Sequence, residues 1–182
     1  ILSVHPSIPV RHIKELIALA KARPGQLSYA SAGMGNSTHL AGELFCMLAG
    51  VRMTHIPYKG SGPAMVDTLA GQTAATFDSM QASMPHIKVN RLRPLAITAA
   101  KRSPVIADLP TIAEAGVPGA EAGTWYGMLA PAATPRAVVL KLNAEVIKAL
   151  ALPDARERLA TVGVDAIGNT PEQFADEIKS DI

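Results

Sequence analysis

Cysteine is almost missing from this chain: Cys46 is the only one among 182 residues. One thiol excludes an internal disulfide framework and any cysteine-built metal cluster. Aromatic residues make up only 4% and charged residues 18%. That is too little charge and too little aromatic interleaving for a nucleic-acid surface. No apolar run reaches the roughly 18 residues a membrane-crossing helix needs. Several enzyme signatures are absent as well. No Gly-Lys-Ser/Thr is present, which excludes a Walker loop, and no Gly-x-Ser-x-Gly elbow exists for a hydrolase serine. The five histidines, His5, His12, His39, His55 and His86, have no ligand spacing, so no metal site is expected.

What is present is apolar and compact. Hydrophobic residues account for 48% of the chain, which excludes a disordered tail, a collagen and a coiled coil. The length suits one domain or two small ones. Residue 1 is Ile rather than Met, the mark of a processed chain or a piece of a larger one. Charge is uneven: residues 1–122 hold 11 Lys/Arg against 7 Asp/Glu, and residues 123–182 hold 6 against 8. The first part, at +4, suits a small anionic ligand, and the split hints at two structural parts.

Ile13, Leu16, Ile17 and Ala20 recur at helical spacing, and Pro24-Gly25 ends that helix. Strands are expected at Leu27–Ala30, Met53–Ile56, Thr73–Phe77 and Leu95–Thr98. Helices are expected at about His39–Ala49, capped by Gly50, at Pro63–Ala70 and through the 80s. Strands and helices alternating through short loops predict an α/β fold with a parallel sheet. A loop-like stretch follows from about Lys101 to Gly123, with a short helix at Thr111–Ala115. Beyond it a strand is expected at about Thr124–Ala130. A helix opened by Thr134-Pro135 and one at Pro153–Val162 come next. Thr170-Pro171-Glu172-Gln173 is a capping box for a last helix, cut short by the chain end.

The most informative segment is Ser31-Ala32-Gly33-Met34-Gly35-Asn36-Ser37-Thr38, between a strand and a helix N-terminus. Open α/β sheets bind ligands at that position. Gly33 and Gly35 let the backbone turn sharply, and the first-turn amides with the Ser37 and Thr38 hydroxyls suit an anion. The same pattern also serves a capped turn without a ligand. Pro57-Tyr58-Lys59-Gly60-Ser61-Gly62-Pro63 and Asp78-Ser79 follow the next two strands and share the carboxyl edge of the sheet. Lys59 supplies positive charge there or is merely solvated; Asp78 accepts from a ligand or caps its own helix. The first loop reads Gly-x-Gly-x-x-Thr, lacking the third glycine of the dinucleotide fingerprint. No acidic residue ends the following strand, so no nicotinamide cofactor is expected. Cys46, between Phe45 and Met47, reads as a buried inert thiol.

The stretch Tyr29-Ala30-Ser31-Ala32-Gly33-x-Gly35-x-Ser37-x-His39-Leu40-Ala41-Gly42-Glu43-Leu44-Phe45 resembles the hallmark of the Bordetella uptake gene family, the periplasmic solute receptors of tripartite tricarboxylate transporters. His55-Ile56-Pro57-Tyr58-Lys59-Gly60-Ser61-Gly62-Pro63-Ala64 resembles its second hallmark. Phe77-Asp78, Arg93–Thr98, Lys101–Pro104, Leu109–Gly116 and Trp125–Pro131 match in order along nearly the whole chain. The resemblance implies a type II periplasmic-binding-protein fold, in which two α/β lobes enclose a carboxylate. It implies ligand contacts at Ser31, Ala32, Gly33, Gly35, Ser37 and Thr38, and also at Tyr58, Lys59 and Asp78. Family members begin with most of a first lobe, which nothing here matches. The chain is therefore expected to start at the crossing into lobe two, near Leu2–Val4. Residues 1–121 would form that lobe and residues 122–182 the C-terminal part of lobe one, with the boundary between about 98 and 124. Half the cleft would be present, and helices lacking their sheet would favour self-association.

These observations lead to an extracytoplasmic receptor for a small organic carboxylate, serving a membrane transporter, without cofactor, metal or nucleic-acid partner. Two alternatives stay open: an enzyme acting on an anionic small molecule at the same loops, and a fragment with no activity of its own.

Overall fold

The computed structural model describes residues 1–180; Asp181 and Ile182, the expected cut end of the last helix, lie outside the described residues. The chain falls into two compact units, Ile1–Thr124 and Trp125–Ile182.

The first unit is built on five strands: β1 (Leu2–Val4), β2 (Ser28–Ser31), β3 (Thr54–Pro57), β4 (Ala75–Phe77) and β5 (Arg93–Ala96). Their order in the sheet is β3-β2-β4-β1-β5. Strand β2 runs parallel to both β3 and β4, as the alternating pattern predicts. Strand β1 is antiparallel to both β4 and β5, so the sheet is mixed rather than purely parallel. All three residues of β1 are buried, and so short a strand carries no periodicity that reports its direction.

Helices connect the strands. In α1 (Ile13–Ala22), Ile13, Leu16 and Ala20 are buried, the face its spacing predicts. Helix α2 (Ser37–Ala49) begins two residues earlier than the sequence suggests. The Asn36 side chain accepts from the Thr38 amide and caps it, and Gly50 ends it in the left-handed region at φ 61°. Helix α3 (Ser61–Leu69) likewise starts ahead of Pro63, after Gly60 at φ 116°. In α4 (Met80–Lys88), Ser79 is the N-cap and accepts from the Ala82 amide. Leu2, Val4, Leu16, Tyr29, Phe45 and Phe77 form the centre of the core beneath α1 and α2. Cys46 is buried there, and burial pushes its thiol up to about 11. The expected helix at Thr111–Ala115 is only a single turn. It is closed by the Thr111 carbonyl accepting from Ala115 at 2.9 Å and by Thr111 and Glu114 side chains exchanging bonds with each other's amides.

The second unit holds α5 (Arg136–Ala151), α6 (Pro153–Thr161) and α7 (Pro171–Ser180). Pro135 sits at the N-cap of α5 rather than inside its first turn. The capping box of α7 forms as expected, with Thr170 and Gln173 exchanging bonds of 3.0 and 3.2 Å. The strand expected at about Thr124–Ala130 is not formed: these residues lack regular structure and are exposed. A strand needs a neighbour to pair with, and among the described residues this unit contains no strand. Trp125 instead packs edge-on against Phe174 at 5.1 Å. Helix α5 has no buried residue, and Val138, Leu140, Leu142 and Ile147 are exposed. No described helix is long and apolar enough to cross a membrane.

Candidate functional site

Because β3, β2 and β4 are parallel neighbours, their carboxyl ends lie on one edge of the sheet, and each leads into a helix: β2 to α2, β3 to α3, β4 to α4. Three helix N-termini therefore face that edge, each carrying partial positive charge. Hydrogen bonds join the loops between. The Tyr58 amide donates to the Ser31 carbonyl at 3.0 Å and the Gly60 amide to the Ala32 carbonyl at 2.9 Å. The third loop joins through Asp78, whose Oδ1 accepts from the Ser61 hydroxyl at 3.1 Å and from the Ser79 amide at 2.7 Å. Ser61 is the residue sequence reasoning missed here; its place in the first turn of α3, on the same sheet edge as Asp78, is the signal that could have found it. The helix cap that Asp78 was weighed for belongs to Ser79.

The glycine loop turns as anticipated, with Gly33 at φ 139° and Gly35 at φ 72°. A Cβ on Gly33 would stand 3.1 Å from the Tyr58 carbonyl oxygen, so only glycine lets these loops approach so closely. Most of the loop's donors are already in use. The Ala32 amide donates to Thr38 Oγ1 at 2.8 Å, the Gly33 amide to Ser31 Oγ at 3.2 Å, and the Gly35 amide to His39 Nδ1 at 3.1 Å. Thr38 and Ser37 turn their own hydroxyls to Asn36 Oδ1, at 3.2 and 3.3 Å. Among the described residues the Met34 and Ser37 amides have no acceptor, and they are the donors left for an anion. The loop is thus more self-bonded than a row of free amides.

Tyr58 directs its hydroxyl to Asp67 at 2.7 Å; burial first, then the Asp67 carboxylate, pushes it up to about 12. Lys59 is exposed and has no ion pair among the described residues. Ser31 is buried and its Oγ meets His55 Nε2 at 2.6 Å. The structure so brings together the Ser31–Thr38 loop, the Tyr58 and Gly60 backbone and Asp78, and leaves Lys59 apart.

Sequence spacing scattered the histidines, yet His39 on α2 and His55 on β3 stack at 4.1 Å, with Tyr29 on the other side of His55 at 5.0 Å. The Tyr29 hydroxyl donates to Glu43 Oε1 at 2.6 Å. Burial and Glu43 both raise its pKa far above the usual tyrosine range. Burial, and secondarily His39, holds His55 below its ordinary 6.5, against the weaker pull of Glu43. The fold therefore favours neutral His55, while the unfolded chain takes up the proton first. Stability is full above pH 6.5 and declines as pH falls through that value. Urea midpoints should drop between pH 7.5 and 5, and less so in His55→Gln; an equal drop in both proteins would exclude His55 as the source.

The profile of the receptor of the tripartite tricarboxylate transporter family (TctC) matches residues 1–181. The chain belongs to this receptor family. BugT of Bordetella pertussis is 38% identical over 183 residues, covering 98% of the chain and 56% of BugT. An R. palustris protein solved with adipate superposes at a TM-score of 0.96 with 39% identity, over 100% of this chain and 60% of that one. The periplasmic binding protein BugD follows at 0.93 with 35% identity, over 98% and 60%. The chain thus has the α/β fold of periplasmic binding proteins and spans little more than half the length of these relatives.

Proposed function

We propose that the β2–α2, β3–α3 and β4–α4 loops form one wall of a carboxylate-binding cleft in an extracytoplasmic solute receptor. The carrying observation is the convergence of three helix N-termini on one sheet edge, joined by backbone bonds through Gly33, Tyr58 and Gly60. Helix N-termini stabilise an anion by about 0.3–1 kcal/mol each without a mobile cation. On the first loop recognition falls to the Met34 and Ser37 amides, with Ser31, Ala32, Gly33, Gly35 and Thr38 holding their geometry. Tyr58 and Asp78 shape the neighbouring loops, and Lys59 adds only long-range attraction. The adipate in the R. palustris relative supports a small organic carboxylate as ligand, and BugD supports a periplasmic location.

In this reading residues 1–121 are the second lobe, and residues 122–182 are the C-terminal part of the first lobe. The partners are the membrane subunits of a tripartite transporter. The exposed apolar residues of α5 favour self-association of the chain as it stands, which sedimentation at rising concentration reads directly.

The test is an amide-resolved NMR titration with adipate, followed by the same titration of Gly33→Val. Shifts confined to residues 31–38, 58–61 and 78–80 are expected in the wild type. Valine at φ 139° against the Tyr58 carbonyl costs roughly 1–2 kcal/mol of strain; relieving it shifts the loop, and binding is expected to weaken by about tenfold. Unchanged affinity in a folded variant would remove this loop from the site.

A further inference from the structure

The structure assigns a positioning role to the stacked imidazoles of His39 and His55: together they hold the Ser31–Asn36 loop at both of its ends. Its bearing on ligand affinity rests on the reading of this loop as a carboxylate site; its bearing on loop geometry does not.

The two rings act on different loop atoms. His39 Nδ1 accepts from the Gly35 amide at 3.1 Å. His55 Nε2 lies 2.6 Å from Ser31 Oγ, and that same oxygen accepts from the Gly33 amide at 3.2 Å. The rings stack on each other at 4.1 Å. An amide N–H can only donate, so Nδ1 of His39 must carry a lone pair and its proton must sit on Nε2. Nε2 in turn faces Glu43 Oε1 at 3.9 Å. The groups around the His39 ring are Glu43 on its own helix, His55 on β3 and, across His55, Tyr29 on β2. Of these only Glu43 favours a charge on His39, and it offers no substitute acceptor for Gly35.

A protonated His39 has two donors and no acceptor, so the Gly35 amide is released. His55 is less sensitive: whichever atom carries the proton, the Ser31 hydroxyl can exchange roles with Nε2 and keep the contact. The loop therefore has one anchor that survives acidification and one that does not.

Nitrogen NMR of the imidazoles in the 182-residue chain tests the assignment directly. At pH 7.5 His39 should show a proton on Nε2 only, and on acidification the Gly35 amide resonance should move with the His39 ring. His39→Asn, whose side-chain oxygen can stand near the place of Nδ1, should keep the Gly35 resonance in place and remove its pH dependence. His39→Leu, which keeps bulk without an acceptor, should lose it. In adipate titrations His39→Leu should bind roughly fivefold more weakly, the worth of one ordinary hydrogen bond, and His39→Asn should stay close to wild type. A proton on Nδ1 of His39, or a Gly35 amide indifferent to the ring's titration, overturns the assignment. The wild-type measurement stands even if a variant fails to fold. Adipate that moves no loop amide in the wild type counts against the carboxylate reading alone, because the tautomer still decides the positioning role.

Discussion

Replacing Gly42 by Ala is expected to destabilise the first unit by about 3 kcal/mol, the upper end of the usual cost of overpacking. In an ordinary helix interior the same change stabilises by roughly 1 kcal/mol, because alanine is the better helix former. Here the added Cβ would lie 2.6 Å from Tyr29 Cζ and 2.9 Å from Cδ2, with Cε2 nearer still. The ring has nowhere to retreat. It is fully buried, stacked on His55 at 5.0 Å, set edge-on to Phe77 at 5.6 Å, and tethered through its hydroxyl to Glu43. Urea unfolding should show a lower midpoint with an unchanged slope. The penalty should shrink in a Tyr29→Leu background, since the two positions share one contact. A Gly42→Ala protein as stable as the wild type would mean that the ring yields.

Phe45→Ala should cost still more, about 3–5 kcal/mol. Phe45 is fully buried where α2 rests on the sheet, tilted against Phe77 at 5.6 Å. A small domain holds only about 5–15 kcal/mol in total, so this one change should leave the unit close to unfolding at room temperature. Met47 lies two residues further along the same helix and is 69% exposed. Met47→Ala should therefore change stability by no more than about 0.5 kcal/mol. Thermal melts of the two variants check the contrast. If they are equal, α2 does not pack through the face described.

Both effects arise at the packing of α2 over β2, and the sequence displays only half of that arrangement. The apolar positions of α2 and the αL glycine at its end are visible as a pattern. Why a glycine should interrupt so apolar a helix at position 42 is not, because the cause is a tyrosine 13 residues away on a strand. The glycine-rich loop was legible by its composition and its place between strand and helix. Its internal bonding was not, since the acceptors that consume its amides, Thr38 Oγ1 and His39 Nδ1, become acceptors only once α2 is in place. The strand expected near Thr124–Ala130 fails for a related reason: an apolar stretch is only a capacity to pair, and pairing is supplied by another strand.

The sequence by itself determined most helix faces and turn glycines of this protein and, through its hallmark segments, its family. Helix faces, caps, turn glycines and the strand–loop–helix repeats depend on residues within a few positions of one another, and such short-range preferences survive in any window of the chain. The tertiary structure alone decided the direction of β1, the bond from Ser61 to Asp78, the fit of Tyr29 over Gly42 and the stacking of His39 on His55. Each joins residues on different elements, and which elements become neighbours follows from the strand order β3-β2-β4-β1-β5. That order is set by the burial of the whole core at once, not by any segment of it.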